Sequence, residues 1–267
     1  MKINFQNKSI NYQTQGSGQT LVLLHGFLES LSIWDSFIEI LSQEFKVITI
    51  DLPGFGNSDN FSESHTMEFM ADTVKAVLDH EEVTSCVVAG HSMGGYASLA
   101  FAHKYPDLLK GICLFNSQAA ADSEEAKTNR YRTIEIIKEN RPGFIESFIP
   151  DLFAESNRLR FKDQIKELIQ SALNISEEGV IAALLGMKER KDSTNLLKSF
   201  KKPILFISGK QDKRIPIKAI LEQAALPFHS EVLLLENIGH MGFIEAKEKT
   251  CNILKTFTQR CYNILPE

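Results

Sequence analysis

The sequence predicts an α/β architecture, a mainly parallel sheet with helices on both faces, interrupted by an all-helical insertion. Three observations carry this expectation. Short apolar runs alternate with helical patterns from residue 20 to residue 115, as successive strand–helix–strand units require. From about residue 118 to 191 no strand-like run occurs, and amphipathic segments take over. Apolar runs then resume at 203–207 and 231–235. The expected organisation is a core over 1–117 and 192–267, with a helical cap over 118–191.

Residues 1–16 alternate in strand fashion around Asn7, Lys8 and Ser9, which predicts a short hairpin closed by Gly16-Ser17-Gly18. Thr20-Leu21-Val22-Leu23-Leu24 is continuously apolar after its threonine, as a strand buried on both faces must be. A helical pattern at 31–41 precedes a second buried strand at 45–51. Residues 52–65, rich in Gly, Asn, Ser and Asp, read as loop. Thr66 is placed to cap a helix in which Phe69, Met70, Val74, Val77 and Leu78 recur at helical spacing. A strand at 86–89 leads into a helix that runs to Tyr105 and stops at Pro106, and 111–115 is a further strand. The insertion contains helical segments at 124–138, 142–153, 159–173 and 177–190, with Pro142 suited to a first helical turn. Residues 243–264 form the last expected helix.

A formal net charge of −5 at pH 7 argues against a general nucleic-acid binder, which needs a basic excess. The basic stretch 198–202 reads as a solvated helix end. Cys86, Cys113, Cys251 and Cys261 show no C-x-x-C spacing, and the first two lie in apolar strand-like runs. No apolar run approaches a membrane span, and the first residues lack the apolar core of a secretory signal. A reducing, cytoplasmic setting is the expectation. No metal-ligand spacing, phosphate loop or dinucleotide glycine pattern occurs, so no metal or cofactor is expected, only a small-molecule substrate.

The segment that carries chemistry is Gly90-His91-Ser92-Met93-Gly94, set between the 86–89 strand and the following helix. A tight strand-to-helix turn of this kind exposes the serine hydroxyl. Glycines at 90 and 94 suit a turn too tight for side chains at those positions. A serine hydroxyl is a poor nucleophile alone; it needs a base, and the base needs an orienting acid. His240 sits in a glycine-punctuated loop just past the last strand, where a base can reach the top edge of a sheet. Asp212 follows the 203–207 strand and is the expected acid. Asp51, also at a strand end, is its rival, but it opens a Pro-Gly loop that it is better placed to fix by hydrogen bonding. His25 and His91 read as structural. The expected oxyanion donors are the backbone N–H groups of Met93, after the nucleophile, and Phe27, in the loop after an earlier strand.

Taken together, His25-Gly26-Phe27, the run Asp51-Leu52-Pro53-Gly54-Phe55-Gly56-Asn57-Ser58, Gly90-His91-Ser92-Met93-Gly94-Gly95, Gly209-Lys210-Gln211-Asp212 and Gly239-His240 resemble the α/β-hydrolase superfamily in its serine-nucleophile, helical-cap branch. The match runs from about residue 20 to 260, with its motifs in the family's order. The resemblance implies an eight-stranded sheet, a Ser92–Asp212–His240 triad and a pocket between core and cap. It implies a carboxylesterase-like serine hydrolase cleaving an ester, thioester or lactone of a small to medium apolar acid through an acyl-enzyme. Two alternatives stay open: a C–C bond hydrolase or a lyase like the menaquinone-pathway synthase relatives, and a non-hydrolytic receptor that retains the triad. Trp34 is expected either to line the acyl pocket or to pack a helix on the sheet. Phe144, Phe148 and Phe153 are expected to face the substrate or to fill the cap's own core.

Overall fold

The computed structural model describes residues 1–263. It opens with a hairpin, β1 (Lys2–Phe5) and β2 (Lys8–Gln15). Gln6 and Asn7 form the turn, both with positive φ, as a two-residue hairpin loop demands. The chain then runs through β3 (Thr20–Leu24), α1 (Asp35–Leu41), β4 (Lys46–Ile50), α2 (Met67–His80), β5 (Cys86–His91), α3 (Met93–Lys104) and β6 (Leu109–Phe115). A helical block follows: α4 (Glu124–Asp151), α5 (Lys162–Leu173), α6 (Glu177–Glu189) and α7 (Thr194–Ser199). The chain ends with β7 (Ile204–Gly209), α8 (Ile217–Ala224), β8 (Ser230–Leu235), α9 (Gly242–Glu245) and α10 (Lys247–Asn263).

Among the described residues, eight strands form one sheet in the order β1-β2-β4-β3-β5-β6-β7-β8. Only β2 runs against the rest: it pairs antiparallel with both β1 and β4, and every other pairing is parallel. Strands β3, β5 and β7 are buried along their whole length, which is why the sequence shows them as unbroken apolar runs. The chain leaves β3 toward β4 and leaves β5 toward β6, in opposite directions across the sheet. That reversal opens a crevice at the carboxyl ends of β3 and β5, where ligands of open α/β sheets bind.

Local chemistry explains the helix boundaries. Thr66 caps α2 by accepting from the Phe69 amide. The two segments expected at 124–138 and 142–153 are both part of α4, which breaks at Asn140 (φ −155, ψ 72) and ends at Asp151, two residues short of the expected end. Asn140 Oδ1 accepts from the Gly143 amide at 3.0 Å and Pro142 sits in the first turn, so the second half starts like a new helix. The segment expected from 159 begins as helix only at Lys162. The last expected helix is two, because Ala246 leaves helical geometry (φ −139, ψ 41) between α9 and α10; its expected final residue, 264, lies outside the described residues. The basic stretch at 198–202 is the end of α7 and the turn after it.

The block is seated on the core by α6. Gly186 lies against the His65 carbonyl with no room for a side chain, and the His65 amide donates to Ala182 O at 3.0 Å. Among the described residues all four cysteines are buried and free, and no single helix is long and apolar enough to cross a membrane; α5 and α6 pass that test only as a pair bent by 100°.

Asp51 performs the loop-fixing task expected of it. Its Oδ1 accepts from the Leu31 amide at 2.8 Å, and its Oδ2 accepts from Asn57 N at 2.9 Å and Asn11 Nδ2 at 2.8 Å. Its carbonyl accepts from Ser58 Oγ at 2.6 Å. Both carboxylate oxygens therefore face donors only, and an amide in that place turns an NH₂ toward a donor. Asp51→Asn is predicted to cost about 1–3 kcal/mol of stability. Urea unfolding of the variant tests this, and an unchanged unfolding midpoint contradicts it.

Candidate active site

Strand β5 delivers Ser92 into the crevice. Ser92 has φ 50 and ψ −112, a conformation that an L-residue holds only when its surroundings enforce it. The surroundings are backbone against backbone: a side chain at Gly90 would run into Gly94 and Gly95, and one at Gly94 would run into the Leu24 and His25 carbonyls. The Ser92 amide donates to Phe115 O at 2.9 Å, and Ser117 Oγ donates to Ser92 O at 2.7 Å. Helix α3 starts at Met93, so its first amides have no acceptor within the helix and present partial positive charge beside the serine.

The loop after β7 carries Asp212, and the loop after β8 carries His240. His240 Nδ1 donates to Asp212 Oδ2 at 2.8 Å. The same oxygen accepts from Asn116 Nδ2 at 2.9 Å, while Oδ1 accepts from the Arg214 and Ile215 amides at 2.8 and 3.0 Å. Burial opposes the charge of Asp212, yet His240 and these donors outweigh it and hold the carboxyl below its ordinary value. With Nδ1 committed as a donor, the neutral imidazole keeps Nε2 as its acceptor. Ser92 and His240 line one cavity of about 370 Å³ between the sheet and the helical block.

Two buried groups that the sequence did not single out for chemistry stand beneath this pair. Glu29 accepts from the Gly26 amide and meets His91 Nδ1 at 3.0 Å, while His91 Nε2 lies 3.0 Å from the His240 carbonyl. A carboxylate and a carbonyl are both acceptors, so His91 satisfies them only as an imidazolium donating from both nitrogens. Burial pushes against that charge, but the Glu29 carboxylate, its hydrogen bond and the His240 carbonyl raise His91 above its ordinary value. Glu29 is held below its own ordinary value: burial opposes its charge, and His91 more than offsets that. The packing role expected of His91 is thus an ionic one. His25, as expected, shapes its turn, with Nε2 accepting from the Leu52 amide at 3.0 Å.

The remaining expected residues divide. Phe27, Phe144 and Phe148 line the cavity, with ring centroids 6.0 Å apart for Phe27–Phe148 and 5.1 Å for Phe144–Phe148. Trp34 does not line it, which corrects the pocket expectation. Its side chain is fully buried among Phe37, Phe115 and Phe243, the packing alternative. Phe153 is also turned away, buried beside Phe161 in the helical block. Met93 is wholly buried and does not line the cavity. Sequence reasoning missed Asn116, Glu29 and Glu245. Glu245 accepts from the Ala154 and Gly239 amides at 3.0 and 2.9 Å and from Asn157 Nδ2 at 2.8 Å. Asn116 had one legible signal, an Asn directly after a strand, and it takes φ 46 there.

The Glu29–His91 pair gives a pH signature. Because the folded value of His91 is raised, its stabilisation is complete below the unfolded value of about 6.5 and fades as pH climbs through the folded value. Glu29 contributes on the acid side, and its share is lost as pH falls through its depressed folded value. The stability gap between the native protein and His91→Gln is predicted to be widest near pH 6 and to shrink at alkaline pH. Urea midpoints of both proteins across this range measure it, and a gap that stays constant indicates a neutral imidazole.

The chain resembles known proteins over nearly its whole length. A model of the alpha/beta hydrolase fold matches residues 19–247. A thermophilic esterase from Thermogutta terrifontis, solved with malate bound, superposes with a TM-score of 0.92 at 34% identity, covering 98% of each chain. A dihydrolipoyllysine-residue acetyltransferase component of the acetoin cleaving system from Pseudomonas putida is 30% identical over 93% of this chain, which corresponds to 66% of that longer protein. The pimeloyl-[acyl-carrier protein] methyl ester esterase of Vibrio cholerae is 25% identical over 94% of this chain and 99% of its own length. With the reversed strand order, the glycine-bound turn and this match across most of its length, the chain belongs to the α/β-hydrolase fold family.

Proposed function

We propose that this protein is a serine hydrolase that cleaves an ester, thioester or lactone of a small acid through an acyl-enzyme. One observation carries the reading: a buried, hydrogen-bonded Asp212–His240 pair shares a cavity with a serine held in a strained turn. The similarity to esterases supports it. In this reading Ser92 Oγ attacks the acyl carbon while His240 Nε2 takes the hydroxyl proton. The amides of Phe27 and Met93 receive the oxyanion as the carbonyl becomes tetrahedral. Collapse expels the alcohol or thiol, which leaves with the proton from His240. A water molecule repeats the sequence on the acyl-enzyme, giving its proton to His240 and releasing the acid. Asp212 remains ionised throughout and keeps the imidazole in the needed tautomer. The helical block acts as a cap that closes the cavity over the ester.

Three variants test this assignment. Ser92→Ala is expected to abolish ester hydrolysis and fluorophosphonate labelling while the protein unfolds at its usual temperature. Labelling of another residue, or retained activity, removes Ser92 from the role. Asp212→Asn is expected to lower kcat by about 10⁴, because an amide presents the wrong partner to Nδ1. His240→Gln should lose activity on the same scale, and wild-type rates in either variant reassign the pair.

A further inference from the structure

We infer that the cavity holds a carboxylate as well as the scissile ester, so that the substrate is a monoester of a short dicarboxylic acid. The inference rests on the serine-hydrolase reading and departs from the apolar acid expected from the sequence. Its basis is an unbalanced set of charges at the cavity, in a protein whose net charge is −5. On the helical block, Asp122 is shared by two guanidiniums, Arg130 and Arg190. Asp122 and Arg190 are almost fully buried, whereas Arg130 remains one-fifth exposed and lines the cavity. Arg130 Nη1 meets only the thioether of Met187, at 3.5 Å, a weak acceptor that leaves its N–H groups available. Asn129 and Gln118 line the cavity as well and add neutral donors.

A second charged cluster also lines the cavity. Asp151 there is shared by Arg158, Lys213 and Arg214, at 2.9, 3.0 and 3.2 Å. Lys213 and Arg214 line the cavity, and the Arg214 guanidinium lies 4.5 Å from the Phe148 ring centroid. In both clusters the cations outnumber the carboxylate they share. Of the remaining charges near the serine, Glu29 is matched by His91, and Asp212 beside a neutral His240 leaves a single negative charge, fewer than the surplus cations of the two clusters. A half-open cavity lined by surplus positive charge favours an anionic ligand, since guanidinium–carboxylate hydrogen bonds are among the strong ones. The cavity's volume of about 370 Å³ suits a short acid rather than a long acyl chain.

The test compares two esters of equal chain length, monoethyl glutarate and ethyl pentanoate, by pH-stat titration. Loss of one charge-assisted contact is worth roughly tenfold, so kcat/KM is expected to favour the glutarate monoester by at least about that factor at low salt. The preference should shrink as salt is added. In Arg130→Gln and in Arg214→Gln the ratio of the two rates is expected to fall toward one. Glutarate itself should raise the melting temperature of Ser92→Ala, and the rise should vanish when Arg130→Gln and Arg214→Gln are added. Equal rates on the two esters, or an unchanged ratio in the arginine variants, overturns the carboxylate site. Fluorophosphonate labelling reports on the hydrolase reading separately. If Ser92 is labelled while the two esters react alike, only the carboxylate site falls; if Ser92 is not labelled but glutarate still stabilises through the arginines, only the hydrolase reading falls.

Discussion

The close approach of backbone to backbone at the end of β5 is the constraint on which the rest of the site depends. Gly90 faces Gly94, and Gly94 faces the carbonyls that end β3. Nothing larger than hydrogen fits at either place, so the turn is forced and Ser92 takes a left-handed conformation. The same contact fixes the distance between the loop after β3 and the start of α3. Strain of this kind is tolerable only because β5 is buried in the middle of a sheet whose neighbours are themselves buried.

Polar groups complete what packing begins. His240 is held at three points: its ring by Asp212, its carbonyl by His91 and its amide by Leu152. Each partner comes from a different element, and each partner is itself bonded onward, Asp212 to Asn116 and His91 to Glu29. In surroundings this dry such hydrogen bonds keep much of their strength, and an unmade one is costly. That gives the network a narrow geometry.

Strands were legible in the sequence because burial on both faces leaves a continuous apolar run, and the serine turn was legible because its glycines are sterically compelled. The aspartate and histidine were legible from their places after strand ends. What could not be read was direction. Trp34 follows the same loop as Phe27, yet its ring turns into the core beside Phe37 while Phe27 turns into the cavity. Phe148 and Phe153 lie five residues apart and meet different neighbours, since Phe153 follows the end of α4, where helical spacing no longer applies. Glu29, Asn116 and Glu245 act through partners distant in sequence, from 62 to 96 residues away in the cases of His91, Asp212 and Ala154. No local pattern announces such pairings.

One seam has a consequence for how the molecule fails. Residues 152–157 of the helical block are sewn to the histidine loop: Leu152 accepts the His240 amide, and Glu245 gathers Ala154, Asn157 and Gly239. This part of the helical block and the His240 loop therefore hold each other, although one belongs to the insertion and the other follows the sheet's last strand. Heat or denaturant that frees this stretch removes the support of His240 in the same event. On the proposed hydrolase reading, activity is then expected to fail on heating when this seam of a few hydrogen bonds opens, before the parallel sheet beneath it gives way.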